Sequence, residues 1–165
     1  MIILALDCSS TCTGWAVGDS EGNLIKYGAI WQKGDMRDRA YNMVKNITYL
    51  VRKYKVELIV YEEYLAASPK RGSHAVPEIL GALKYATYPV EVTGIYPQTW
   101  RMWLQVKKEN NDWKKSVKKW VEQNYGCLRK VKHNLTRRSV KAPNDTYDAV
   151  AIFLAYTRYK GGNGK

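Results

Sequence analysis

The chain has 165 residues, which suits one compact domain and is hardly enough for two. Hydrophobic residues make up 45% of it, enough for a buried core, so a disordered protein is excluded, and no apolar run approaches the roughly 18 residues that cross a bilayer. Its 27 Lys and Arg residues against 15 Asp and Glu residues give a net charge of +12, which favours a polyanionic partner over a membrane.

The N-terminus carries no recognisable export signal, because the apolar stretch at 1–6 is too short and lacks a cationic start. We therefore expect a soluble, intracellular protein whose three cysteines are free thiols. We also expect a single domain over 1–160, followed by a disordered, glycine-rich tail at 161–165.

The first third of the chain is predicted to form three strands and a helix. Short connections join apolar runs at 2–7, 13–18 and 24–31, a spacing typical of an antiparallel meander. Apolar residues at helical spacing follow at 35–54.

Strands and helices then alternate along the rest of the chain. The predicted elements are a strand at 56–61, a helix at 76–87, a strand at 89–95, and helices at 97–106, 112–125 and 144–159. A basic stretch at 126–143 has no clear periodicity and is predicted to be a loop. Because strand–helix–strand crossovers are right-handed, the first, fourth and fifth strands should be parallel. The sequence thus predicts an α/β fold, a five-stranded mixed sheet with three antiparallel strands and then two parallel ones, flanked by helices.

Four acidic residues interrupt apolar surroundings at places where a site is expected. Asp7 and Glu62 end two predicted parallel strands, and ligands bind beyond the carboxyl ends of such strands. Asp145 and Asp148 are three residues apart at the start of the last helix and so share one face. Converging carboxylates need a counter-charge, and oxygen ligands without cysteine favour Mg²⁺, with Mn²⁺ as a substitute, over zinc. The alternatives are ordinary strand-end acids and a favourable interaction of the aspartates with the helix dipole.

The positive charge is concentrated in the third quarter of the chain and just beyond. Residues 101–141 contain 13 Lys and Arg residues and three acids. Clustered cations of this kind favour binding to a nucleic-acid backbone, whereas the simpler alternative is a solubilising surface.

Three segments resemble, in order and spacing, the motifs of the RuvC family of Holliday junction resolvases. They are 4–17 (LALDCSSTCTGWAV), 59–64 (IVYEEY) and 144–152 (NDTYDAVAI). The resemblance covers nearly the whole chain. It implies a ribonuclease-H-like fold and a homodimer that holds a four-way DNA junction, each subunit cutting one strand with Mg²⁺.

The resemblance also implies roles for individual residues. The catalytic and metal-binding acids would be Asp7, Glu62, Asp145 and Asp148, with Glu62 rather than the adjacent Glu63 aligning with the family acid. Strand alternation allows only one of those two glutamates to face the site.

Lysine residues of one predicted helix are the candidate DNA ligands. Lys114 falls where the family places a DNA-contacting lysine, and Lys115 and Lys118 lie on the same helix. Lys70 and Arg71, in the loop that follows Glu62, are further candidates for gripping a phosphate, and an ordinary solvated turn is the alternative.

The sequence departs from the bacterial pattern in two places. Cys8-Ser9 stands where a Pro-Gly is usual, and a long basic loop precedes the last helix. Both features fit the divergent phage and poxvirus resolvases better than the bacterial ones.

The leading hypothesis is a metal-dependent, structure-selective endonuclease that resolves branched DNA by paired symmetric nicks. Two alternatives stay open on sequence alone. One is a ribonuclease-H-fold nuclease that acts on structured RNA, and the other is a non-catalytic junction-binding protein that uses the basic helix.

Overall fold

A five-stranded mixed sheet forms the centre of the molecule and helices cover both of its faces. The computed structural model describes residues 1–63 and 75–162. The strands of the sheet are β1 (Ile2–Asp7), β2 (Cys12–Asp19), β3 (Leu24–Trp31), β4 (Leu58–Glu62) and β5 (Glu91–Ile95). The helices are α1 (Met36–Tyr54), α2 (Ala75–Ala86), α3 (Pro97–Trp103), α4 (Trp113–Asn124) and α5 (Asn144–Gly162).

The strand order in the sheet is β3-β2-β1-β4-β5. The β1–β2 and β2–β3 pairs are antiparallel, whereas the β1–β4 and β4–β5 pairs are parallel. The predicted fold class is therefore confirmed. The carboxyl ends of β1 and β4 lie side by side at one edge of the sheet, since these two parallel strands are neighbours.

Side-chain alternation along β1 divides the core into two layers. Ile3 and Ala5 pack on the face covered by α3, α4 and α5, while Leu4 and Leu6 pack on the face covered by α1 and α2. A strand buried on both faces reads as a continuous apolar run, which is the pattern at the start of the chain.

Helix α5 is the most deeply buried helix, and its N-terminus lies against the sheet. Its seven residues 149–155 are each at most 5% exposed. Gly14 of β2 makes this approach possible, because a Cβ atom at that position would collide with the backbone carbonyl of Asp145. The buried Thr146 hydroxyl donates to the Gly28 carbonyl of β3 at 3.1 Å and holds the start of the helix in place.

Two stretches differ from their predicted structure. The segment at 126–143 was expected to be a loop, yet it contains a short hairpin, β6 (Val131–Lys132) paired with β7 (Ser139–Val140). Two-residue strands are too short to give an alternating pattern. Helix α5 continues to Gly162, past its predicted end at 159 and into the expected tail. Among the described helices, none has the length and hydropathy needed to cross a membrane.

Candidate functional site

Two acidic residues meet at the carboxyl edge of the sheet. The ladder between β1 and β4 pairs Leu6 with Tyr61, so Asp7 and Glu62 follow as neighbours at the same edge. Alternation directs both side chains to the α5 face, since Ile3 and Ala5 precede Asp7 on that face and Leu58 and Val60 precede Glu62. The strand pattern alone thus aims two carboxylates at the start of α5.

Helix α5 supplies two further carboxylates at this edge. Asp145 lies in its first turn and Asp148 follows three residues later, on the same face. One carboxylate oxygen from each of Asp7, Asp145 and Asp148 lies within 4.8 Å of the others. These three residues are the carboxylate triad. Three hard oxygen donors at this spacing are able to hold a divalent cation.

Burial and mutual repulsion change the acidity of the triad. Burial, followed by the charges of Asp148, Glu62 and Asp145, raises the pKa of Asp7 well above its ordinary value of 3.8. Burial, followed by the charge of Glu62, raises the pKa of Asp148 from 3.8 to about 7. Without a cation, the site therefore holds protons that isolated carboxyl groups would have lost at neutral pH.

Glu62 is anchored by two residues of α3. The indole Nε1 of Trp100 donates to its Oε2 at 2.9 Å, and an Arg101 guanidinium nitrogen lies 3.8 Å from the same oxygen. Burial raises the pKa of Glu62, against the lowering effect of the Trp100 hydrogen bond and of the Arg101 charge. Glu62 lies close enough to influence the triad electrostatically, but it is not part of the tight oxygen cluster.

Arg101 is held rigidly beside the site. Its guanidinium carbon lies 4.9 Å from the ring centroid of Trp100 and 4.8 Å from that of Trp113. Among the described residues, its buried Nε atom has no hydrogen-bond partner. The two rings thus fix a cation whose donors are not all used within the protein.

Glu63 points away from the carboxylate triad. Its carboxylate accepts a hydrogen bond from the Tyr61 hydroxyl at 3.0 Å and crowds Gly94 of β5. The structure therefore separates the two adjacent glutamates as strand alternation predicts, with Glu62 on the α5 face.

Lys114, one of the predicted DNA ligands, contacts the carboxylate triad. Its Nζ is 3.4 Å from the Asp145 carboxylate, while its side chain is 61% exposed. Partial burial lowers its pKa, but the charges of Asp145, Asp148 and Asp7 outweigh that effect, and its pKa is raised. Lys114 therefore stays protonated and provides a mobile positive charge at the rim of the triad.

The other predicted DNA ligands either contact acids outside the triad or lie outside the described residues. Lys115 is 85% exposed and lies 3.8 Å from Asp112, whereas Lys118 lies 3.9 Å from Glu122 and above the Tyr147 ring. Lys70 and Arg71 lie outside the described residues.

Two thiols near the acids are unsuited to act as nucleophiles or soft metal ligands. Burial, followed by the charge of Asp7, raises the pKa of Cys8. Burial raises the pKa of Cys12 to about 12, and the charge of Asp145 and its hydrogen bond with the thiol add to this effect. Both remain protonated near neutral pH, so oxygen donors dominate the site.

Sequence reasoning missed Gly14, Trp100 and Arg101 as parts of the site. Trp100 is fully buried like a core residue, but it also orients Glu62. The sequence contains an indirect signal for Trp100 and Arg101, through the position of their helix. Pro97 marks a helix start just after a strand that ends at the carboxylate edge, which brings the next turn close to the acids.

The sheet order, the acids at the ends of β1 and β4 and the paired aspartates of α5 define a ribonuclease-H-like fold with a carboxylate site at the carboxyl edge of its parallel strands. No family model matches the chain. The crossover junction endodeoxyribonuclease RuvC of Rubrobacter xylanophilus is 26% identical over 162 residues, which cover 94% of this chain and 84% of the relative.

Solved structures of junction resolvases share this fold. Thermus thermophilus RuvC in complex with a Holliday junction substrate matches with a TM-score of 0.73 at 19% identity, covering 98% of this chain and 96% of the other. The fowlpox virus resolvase with junction DNA matches at 0.56 and 12% identity, covering 96% and 97%. The yeast mitochondrial resolvase Ydc2 matches at 0.57 and 15%, covering 96% and 80%. The resemblance to RuvC-family resolvases is confirmed by these comparisons, which describe the fold and do not separate the viral from the bacterial branch.

Proposed function

We propose that this protein is a Mg²⁺-dependent endonuclease that cuts four-way and other branched DNA by paired symmetric nicks. The observation that carries the proposal is the carboxylate triad, Asp7, Asp145 and Asp148, placed with Glu62 at the edge of a resolvase fold in a chain of net charge +12. A chain with such an excess of cations concentrates acids where like charges repel, which favours a catalytic rather than a structural role.

The chemistry of the donors fits Mg²⁺ or Mn²⁺. The triad offers only carboxylate oxygens, and the neighbouring Cys8 and Cys12 thiols remain protonated, so a hard cation is favoured over zinc. Asp7, Asp145 and Asp148 would hold the metal, and Glu62 would add a further carboxylate beside it. A bound divalent cation would lower the pKa of a water molecule and stabilise the negative charge that develops on the leaving 3′ oxygen.

The protein's own cations would position the DNA at this site. Arg101, clamped between two indole rings beside Glu62, would place its positive charge next to the phosphate that binds at the triad. Lys114 would move from Asp145 to the phosphate next to the cut. Its largely exposed side chain leaves room for this movement. Lys115 and Lys118, and Lys70 and Arg71 beyond Glu62, would bind the phosphates that flank it.

A homodimer is part of the proposal. Two symmetric nicks need two copies of the site related by a two-fold axis, and a closed two-fold pair is the commonest assembly of identical chains. The related Thermus and fowlpox structures contain junction DNA, which supports branched DNA as the substrate class. We expect the protein to act inside the cell, in the compartment where recombining DNA lies.

Cleavage of an end-labelled four-way junction beside a linear duplex of matching sequence tests this proposal. We expect paired symmetric nicks in the junction with Mg²⁺, and no nicks with EDTA or in Asp7→Asn. Glu21→Gln, which removes an exposed acid in the turn between β2 and β3, at the edge of the sheet opposite Asp7, is the matched control and should cut like wild type.

Four outcomes would contradict the proposal or one of its parts. Nicking that survives in Asp7→Asn would remove the triad from the reaction. Tight junction binding without cutting in Mg²⁺ or Mn²⁺ would identify a binding protein, and preferential cutting of structured RNA would identify a different nuclease. Elution of wild type as a monomer together with its DNA would argue against the dimer.

A further inference from the structure

A second concentration of positive charge lies away from the carboxylate triad. A groove of about 980 Å³ runs along the edge strand β3, between α1 on one side and the segment that carries β6 and β7 on the other. This is the basic groove. Its cationic lining residues are Lys26, Lys53, Arg129, Lys130, Lys132 and Arg137. No acidic residue of the described chain is part of its lining.

These six cations differ from the lysines of α4 in having no acidic partner. Each of the four lysines of α4 lies within 4.0 Å of a carboxylate. Within residues 1–63 and 75–162, none of the six groove cations has a carboxylate at that distance. Six uncompensated like charges around one groove repel each other, and an anionic ligand would relieve the repulsion.

The wall that carries β6 and β7 is fixed to β3 at two points. The backbone N–H of Arg129 donates to the Tyr27 hydroxyl at 2.7 Å. The side-chain amide of Asn134 bonds to both the N–H and the carbonyl of Trp31, at 2.8 and 3.0 Å, as a neighbouring strand would. This wall is therefore fixed in place by tertiary hydrogen bonds between segments about a hundred residues apart.

The α1 wall combines one cation, Lys53, with two tyrosine rings. The Nζ of Lys53 lies 5.7 Å from the ring centroid of Tyr49 and 5.3 Å from that of Tyr54. Tyr49 is 59% exposed in spite of this contact. Lys and Tyr side chains both bind phosphate and sugar groups of DNA, so this wall suits a sugar–phosphate surface better than a small inorganic anion.

The direction of the groove relates it to the carboxylate triad. Because β1 and β3 are both antiparallel to β2, the C-terminal end of β3 lies at the same edge of the sheet as Asp7. The lining residues at 24–30 lead from that edge towards the opposite one. Seven strand residues span about 20 Å, the length of roughly six phosphates of one DNA strand.

We propose that the basic groove binds the phosphate backbone of a DNA duplex, as a contact surface separate from the carboxylate triad that holds an arm leaving the cutting site. The choice of DNA rests on the proposed function. The cations of the groove release counterions from the duplex when they bind it, so this surface contributes strongly to affinity and little to sequence preference.

Binding measurements with a variant of the basic groove test this proposal. Lys53→Gln together with Arg129→Gln removes one cation from each wall, in an Asp7→Asn background that prevents cutting. The matched control, Lys55→Asn with Arg158→Gln, removes the same charge outside the groove, and Asn tolerates the left-handed backbone of Lys55. Fluorescence anisotropy with a linear duplex and a four-way junction, over a series of salt concentrations, gives the affinity and its salt dependence.

We expect the groove variant to lower the slope of log Kobs against log salt by about 2, one for each lost phosphate contact, while the control keeps the wild-type slope. Equal slopes for groove and control variants would overturn the proposal. The proposal would also be overturned if the groove variant lost binding to vesicles that contain phosphatidylserine while its DNA binding stayed intact. If thermal melting shows that the variant is unfolded, Lys26→Gln with Lys130→Gln provides the same test from the same groove.

This experiment separates the groove from the proposed nuclease function. Its readout is binding by an inactive background, so a wild-type protein that fails to cut junctions refutes the nuclease function and leaves the slope comparison valid. Equal slopes in a protein that cuts junctions refute the basic groove alone.

Discussion

Replacing Asp148 by Asn should stabilise the metal-free protein at neutral and alkaline pH. Asp148 is 7% exposed, and burial and then the charge of Glu62 raise its pKa from 3.8 to about 7. Between these two values the native state holds a proton that the unfolded state has released, so stability falls as pH rises through the window. The loss of stability amounts to about 4 kcal/mol at pH 8, above the whole window. At pH 5, which lies inside the window, it amounts to about 2 kcal/mol. Asn keeps the shape of the side chain and removes the ionisation.

Urea unfolding in EDTA at pH 5 and pH 8 measures this effect as a difference between two proteins. The free energy of unfolding of Asp148→Asn, minus that of wild type, should be about 2–3 kcal/mol larger at pH 8 than at pH 5. Glu21→Gln, which alters an exposed acid, should show no such change between the two pH values. An Asp148→Asn protein that is less stable than wild type at pH 8 in EDTA would refute the electrostatic reasoning.

Magnesium provides an independent check on the same residue. A ligand that binds only the native state stabilises it by mass action, and the charge of Asp148 forms part of the proposed binding set. Adding Mg²⁺ at pH 8 should therefore stabilise wild type more than Asp148→Asn. Equal stabilisation of the two proteins would show that Asp148 does not contribute to binding the cation.

Three further substitutions test how the site is built. Gly14→Ala should displace the start of α5 at Asp145, destabilise the protein by about 1–3 kcal/mol in urea unfolding and reduce junction cutting, and unaltered stability would contradict the close approach. Trp100→Phe removes the donor that lowers the pKa of Glu62, so the pH profile of cutting should move to higher pH, and a profile identical to wild type would contradict this role. Cys8→Ser should cut junctions within about twofold of wild type because burial keeps the thiol protonated, and a folded but inactive Cys8→Ser would count against metal-dependent hydrolysis.

The sheet and the convergence of its acids were predictable because they follow from general rules. Apolar runs identify the strands, crossover handedness makes β1 and β4 parallel, and alternation allows only one of Glu62 and Glu63 to face the site. These rules act on a few neighbouring residues or on chain topology, and neither needs the details of packing. The positions of Asp7 and Glu62 at one edge therefore emerge from the sequence alone.

The support of the site was not predictable in the same way. Trp100 and Glu62 are 38 residues apart, and nothing in the pattern of α3 distinguishes an indole that donates to a carboxylate from one that only fills the core. Arg101 similarly reads as one more surface cation, although two indole rings hold it in place. Such contacts depend on how α3 crosses the sheet edge, and helix crossing geometry is not encoded in periodicity.

Which cations are paired with acids is likewise not predictable from the sequence, and this pairing matters for DNA binding. The sequence places 13 cations between 101 and 141. In the structure, the four lysines of α4 contact acids, whereas the basic groove residues of the hairpin segment do not. A lysine paired with a carboxylate must give up that interaction to bind a phosphate, whereas an unpaired one gains the full interaction. Equal charge removal should therefore weaken duplex binding more at Arg129 and Lys130 than at Lys115 and Lys119. The charge count alone assigns the same weight to both groups, so the ranking tests the structure and not the composition.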